Sequence, residues 1–166
     1  MGRLPDSWAN RRITFRVPYL MAGELTLAGS QSGQQYPDAT FLHSIDKPFE
    51  IHRVIPRITG VDGNGAVIVT QPAQDTLQSL VRVRINDFSK NEQLTKSSTL
   101  LKLLTKGTSE QTWEWAEPYY LVRSEGLQVL VDTQAIPAFN PTVNQLRIEL
   151  CFQGFLIVVA PPSETR

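Results

Sequence analysis

The chain has 166 residues, 41% hydrophobic and 19% charged, with 16 Lys+Arg against 16 Asp+Glu and a single cysteine. That is the length of one domain, which buries roughly 70% of the surface its unfolded chain exposes, so a core forms without disulfide or metal staples. One cysteine excludes an intrachain disulfide framework and a cysteine-based zinc or iron–sulfur site, and the zero formal charge argues against a main role in holding nucleic acid or an anionic membrane.

Residues 1–12, MGRLPDSWANRR, carry basic side chains but no apolar stretch long enough for a secretory signal, and are predicted to form an extended N-terminal arm. Asp6 stands where a myristoylation signal needs Ser or Thr. The sandwich domain is expected over 13–160. It begins with Ile13 to Val17, an alternating strand that stops at Pro18, and Glu24 to Leu27 reads as a second short strand. Residues 28–38, AGSQSGQQYPD, lack an apolar period and read as a polar loop or arm. Phe49 to Ile55 is a strand whose alternation changes face near His52-Arg53, which predicts a bulge there. Asp62-Gly63-Asn64-Gly65 between Arg57–Val61 and Ala66–Thr70 is a hairpin turn, since Asp-Gly and Asn-Gly supply the positive φ it needs.

Leu80 to Ile85 is a half-buried strand, with Val81, Val83 and Ile85 inward and Arg82 and Arg84 outward. In 96–107, KSSTLLKLLTKG, a serine pair, leucines at 100, 101, 103 and 104 and a closing glycine predict one short helix. Strands resume at Thr112–Trp115 and Tyr119–Val122, and a turn at Ser124-Glu125-Gly126 leads into Leu127–Val131. Leu146, Ile148, Leu150 and Phe152 alternate with polar residues. After Gln153-Gly154, Phe155 to Val159 is apolar on both faces, as in a central strand. The longest apolar run, Phe155 to Ala160, is too short to span a bilayer. Residues 161–166 form a C-terminal tail. Eight to ten strands with one short helix make an all-β protein, a single jelly-roll-like β-sandwich.

The residues that carry chemistry elsewhere have plainer readings here. His43 and His52 are the only histidines, and neither has ligand spacing to a cysteine or carboxylate cluster. Cys151 and His52 would make a nucleophile and base only if the fold joined them, and a cysteine in an alternating strand is ordinarily a small packed side chain. The Asp62 turn opens like a calcium loop, but position twelve is Ala73. Nucleophile-elbow, phosphate-loop and paired-carboxylate motifs are absent from the sequence, so no enzyme, cofactor or metal site is expected. Trp113 and Trp115 share a strand face, and Tyr119 and Tyr120 follow. These rings serve a core, a protein contact, or a sugar platform of Trp113, Trp115 and Tyr120. Arginines 11, 12, 16, 53, 57, 82 and 84 form a solvated face or one that meets an acidic partner.

Several pieces in order carry a family likeness: the strand from Phe49 with Ile51-His52-Arg53; the leucine-rich linker ending Lys106-Gly107-Thr108; Trp113 to Tyr119 with Glu117-Pro118; Glu125-Gly126-Leu127; and the closing run from Arg147 through Gln153-Gly154-Phe155-Leu156. Over residues 40–160 this resembles the small β-sandwich structural proteins of tailed bacteriophages, of the capsid decoration (cement) or minor head type. The resemblance implies a jelly-roll-like fold without catalysis, and the outside of a major capsid protein lattice as partner. It also implies a homo-oligomer, often a trimer, and a place on the virion surface after synthesis in the host cytoplasm. Membrane and direct nucleic-acid contact are not expected. Candidate interface residues are Arg11, Arg12, Arg16, Gln34, Gln35, Tyr36, Arg82 and Arg84. A carbohydrate-binding sandwich and another head or tail component are the competing readings, and exposure of the Trp and Tyr rings separates the first of them.

Overall fold

Alternating apolar and polar residues build two antiparallel sheets whose apolar faces meet in one core. The computed structural model describes residues 13–29, 33–67, 78–95, 99–100, 113–134 and 144–159. Nine strands lie among them: β1 (Ile13–Ala28), β2 (Asp38–Leu42), β3 (Phe49–Val61), β4 (Val81–Asp87), β5 (Glu92–Gln93), β6 (Thr99–Leu100), β7 (Trp113–Leu121), β8 (Gly126–Thr133) and β9 (Gln145–Val159). The first sheet runs β1-β9-β3-β7; the second runs β2-β8-β4-β5, with β6 also paired to β4. Met21 and Leu25 of β1, Phe49, Ile51 and Ile58 of β3, and Leu146, Ile148, Leu150 and Phe152 of β9 pack on Phe41, Val81, Val83, Ile85, Leu127 and Val129 of the other sheet. The chain is an all-β sandwich. Apolar burial at roughly 25 cal/mol per Å² is what holds its layers together.

The strands are longer than local punctuation suggests. Ile13–Val17 and Glu24–Leu27 are one continuous strand through Pro18, because β1 is an edge strand and a proline there can turn its missing N–H away from the ladder. Pro56 sits inside β3 just past Val54, the last residue that β7 pairs among the described residues. Pro118 lies in β7, the opposite edge. The two closing segments likewise fuse into β9 through Gly154, and β9 is central, between β1 and β3.

The predicted bulge is present, with the β3 register shifting between Ile51 and Arg53 against both neighbours. The hairpin turn is present too. Asp62 Oδ1 accepts the Asn64 and Ala66 amides, Gly65 takes φ 83°, and Val61 bridges Val67. Val81, Val83 and Ile85 are buried, as their alternation predicts.

One expectation needs correction. Thr99–Leu100, inside the predicted helix, are a strand against Val83 and Arg82, because the exposed ladder of β4 competes for them; the rest of 96–107 lies outside the described residues apart from this pair. One helical turn instead occupies 78–80. Of the two readings of the polar stretch, loop or arm, residues 33–37 follow the loop. The Thr133 and Val131 amides donate to the Gln35 and Pro37 carbonyls, which extends the β2–β8 pairing. Residues 1–12 and 160–166 are outside the described set.

A polar network closes one end of the sandwich. Lys90 Nζ donates to Asp87 Oδ2 (2.9 Å), Glu125 Oε2 (2.8 Å) and the Tyr120 carbonyl (3.0 Å), and lies 5.0 Å from the centre of the Tyr119 ring. The Tyr119 hydroxyl donates to Asp87 Oδ2 at 2.7 Å. Asp87 belongs to the second sheet and Tyr119 to the first, so the network ties the two together. Burial pushes the Asp87 carboxyl up, but the Lys90 and Tyr119 hydrogen bonds outweigh it and leave Asp87 below its ordinary value. Burial and the Asp87 charge push the Tyr119 phenol well above the ordinary tyrosine range.

Candidate functional site

The bulge that shifts β3 also shapes a groove on the first sheet. Gly154 of β9 crosses β3 so closely that a Cβ would stand 1.8 Å from the Glu50 carbonyl oxygen; only glycine fits. With β3 irregular at this crossing, His52 and Arg53 border a concavity of about 820 Å³, together with Pro18, Tyr19, Leu20, Trp115, Gln153 and Phe155. The size falls within the range of ligand and peptide sites, and the walls are mainly apolar.

Fixed charges stand at one end. The Glu50 side chain is only 4% exposed, and its two oxygens are held by Arg16 Nε (3.0 Å) and His52 Nε2 (2.6 Å). Tyr120 also hydrogen-bonds Glu50, and burial first, then the Glu50 charge, raises its phenol above the ordinary value. His52 sets its ring edge-on to Phe155 at 5.4 Å. Arg53 Nε donates to Gln153 Oε1 at 2.6 Å, which holds the guanidinium along the groove floor.

The groove's groups are not arranged as an acid, base and nucleophile. His52 turns to Glu50, while Cys151 sits opposite Ile55 and Ala22 on the ladder. Burial raises the Cys151 thiol despite the opposing influence of Gln153 and Arg53, so it is a poorer nucleophile than a free thiol. His43 is fully buried between Tyr19 and Phe49, with Nε2 at 2.7 Å from the Lys47 carbonyl. Among the described residues, no three His, Cys, Asp or Glu side chains come together as a metal site.

The sequence-predicted site residues do not gather on one surface. Arg11 and Arg12 lie outside the described residues. Arg16 is on the first sheet, paired to Glu50, whereas Arg82 and Arg84 are on the outward side of the second, opposite Asp132 and Leu130. The basic surface drawn from the sequence is therefore divided between two sheets. Gln34 donates to Asp132 Oδ1 (2.6 Å), and the Gln35 amide caps both backbone groups of Ala28. Tyr36 is 68% exposed. Of the sugar-platform residues, Trp115 lines the groove and stacks on core Phe152 with centroids 6.4 Å apart, Tyr120 is half-buried against Glu50, and the Trp113 side chain lies outside the described set. The groove itself went unread in the sequence. Its one advance signal was the break in alternation at His52-Arg53.

No family model matches the chain, and no curated protein matches it. Among solved structures, a chain of the cyanophage Pam1 capsid asymmetric unit is similar to it at 10% identity, covering 94% of this chain and 99% of that one, with a TM-score of 0.48. That degree of superposition is too low to assign a fold in common.

Proposed function

We propose that the protein is a non-enzymatic structural component of a phage virion that binds the outer surface of the capsid lattice and stabilises it as a decoration or cement protein. The observation that carries this reading is the surface of β1 and its neighbours. Phe15 and Val17 are 53% and 37% exposed on one face of the strand, and Leu20, 56% exposed on the other, lines the apolar groove. Large exposed apolar side chains of this kind favour contact with another protein. The sandwich is also of the class that the sequence resemblance implies. The major capsid protein is the partner, the capsid surface the location and the host cytoplasm the place of synthesis. The functional unit is a homo-oligomer, because many weak contacts repeated on a lattice add up to firm attachment.

The test is size-exclusion chromatography with light scattering on the protein alone and mixed with purified expanded capsids. Co-migration with capsids and a raised capsid melting temperature are expected. A protein that elutes apart from capsids and leaves their melting unchanged refutes the reading, and co-migration only with tail fractions moves it to another virion component.

A further inference from the structure

We propose that a second copy of this chain adds to the free edge of β1, pairing antiparallel with its own β1 about a two-fold axis at Gly23. β1 ends the order β1-β9-β3-β7, and among the described residues nothing forms a strand ladder on its outer side. Two observations fix which residues face that side. The Gln35 amide, not β9, takes both the N–H and the C=O of Ala28, while the next residue, Gly29, donates to Asn144 just before β9. Pro18, the same parity as Ala28, has no N–H to give. Even-numbered residues of β1 therefore turn their backbone groups outward, and odd-numbered ones bond to β9.

The open stretch is bounded at both ends. From Leu20 to Thr26, the outward groups of Leu20, Ala22, Glu24 and Thr26 are unused by the ladder, and these four side chains are exposed. Pro18 stops the edge on one side and the Gln35 amide on the other. Gly23 is midway. With the two-fold axis there, Ala22 pairs with Glu24 of the second copy and Leu20 with Thr26, each exchanging two backbone hydrogen bonds. The next pair is Pro18 against Ala28, where one residue has no donor and the other is already capped. The two stops thus meet each other, which no other self-pairing register achieves. Glu24 faces Ala22 rather than its own symmetry mate, so no like charges stand directly opposite. The Gln35 contact shows an amide already docking on this edge.

Sedimentation velocity and amide hydrogen exchange on the full chain test this. The expected result is a concentration-dependent dimer in which the amides of Ala22, Glu24 and Thr26 exchange more slowly as dimer forms, while those of Met21, Gly23 and Leu25 are slow throughout. Ala22→Pro removes an outward donor and no bond to β9, so it raises the dimer Kd by on the order of 100-fold with an unchanged circular dichroism spectrum. A monomer at all concentrations overturns the inference. So does a dimer whose even-numbered amides stay fast, or a folded Ala22→Pro protein that dimerises like the parent. Should Ala22→Pro fail to fold, the exchange pattern of the parent alone decides. Capsid association is measured separately, so failure here leaves the proposed function standing and the reverse also holds.

Discussion

Lys90 is the side chain on which one end of the sandwich converges. It neutralises Asp87, which is fully buried, so Lys90→Met leaves a buried carboxylate without its cation. Breaking such a pair costs about 3 kcal/mol, and urea unfolding of the variant should show that loss. The same cluster sets the pH response. Asp87 titrates lower in the folded chain than its ordinary 3.8, so its contribution is complete above that value and is lost as pH falls through the lower folded one. Tyr119 titrates higher than its ordinary 10.0, so its contribution holds below pH 10 and declines above it, where the unfolded chain gives up a proton that the folded one keeps. Stability against pH should therefore fall at both extremes, and Asp87→Asn should flatten the acid limb. Little of this was legible in the sequence. Asp87 stands at the end of β4 before a polar turn, Tyr119 behind a proline, and only the tertiary fold puts their side-chain oxygens 2.7 Å apart.

Elements were legible where alternation was clean and obscure where punctuation residues fell inside strands. Val81, Val83 and Ile85 declared β4, and the Asp62-Gly65 turn declared its hairpin, because each signal is local. Pro18, Pro56 and Gly154 looked like ends, but ladder position decides what a proline or glycine does, and a single sequence does not reveal which strand lies beside which. Leu100 to Leu104 carried helical spacing, yet Thr99–Leu100 pair with β4, since an available ladder overrides a short local preference. The groove was hidden for the same reason: its walls come from four strands. Gly154→Ala tests the crossing that forms it. A methyl group there meets the Glu50 carbonyl rather than a movable side chain, so β9 must part from β3. The variant should lose at least about 3 kcal/mol in chemical denaturation, with the amides around Ile51 and Gly154 exchanging faster.

At the scale of the whole molecule, Phe152 joins the layers. It packs edge-on against Phe41 of the second sheet at 5.2 Å and stacks on Trp115 of the first. Phe152→Ala should cost about 3–5 kcal/mol and lower one common transition, seen alike by tryptophan fluorescence and far-ultraviolet circular dichroism, because both sheets share that core. The fold class was the most readable level, since strand patterning survives errors in every boundary. The strand order was unreadable, and it governs how the molecule comes into being. β1 and β3 do not touch as ladder neighbours; β9, the last of the described strands, lies between them, with Ile13 paired to Val159. During translation the first sheet has no middle until residues 145–159 leave the ribosome. Nascent chains stalled at residue 144 should thus be cut readily by protease within β1 and β3, and become resistant once β9 has emerged. Assembly of the first sheet in this way waits until β9 has been made, and a chain terminated before it exposes two long apolar strands to the cell's quality control.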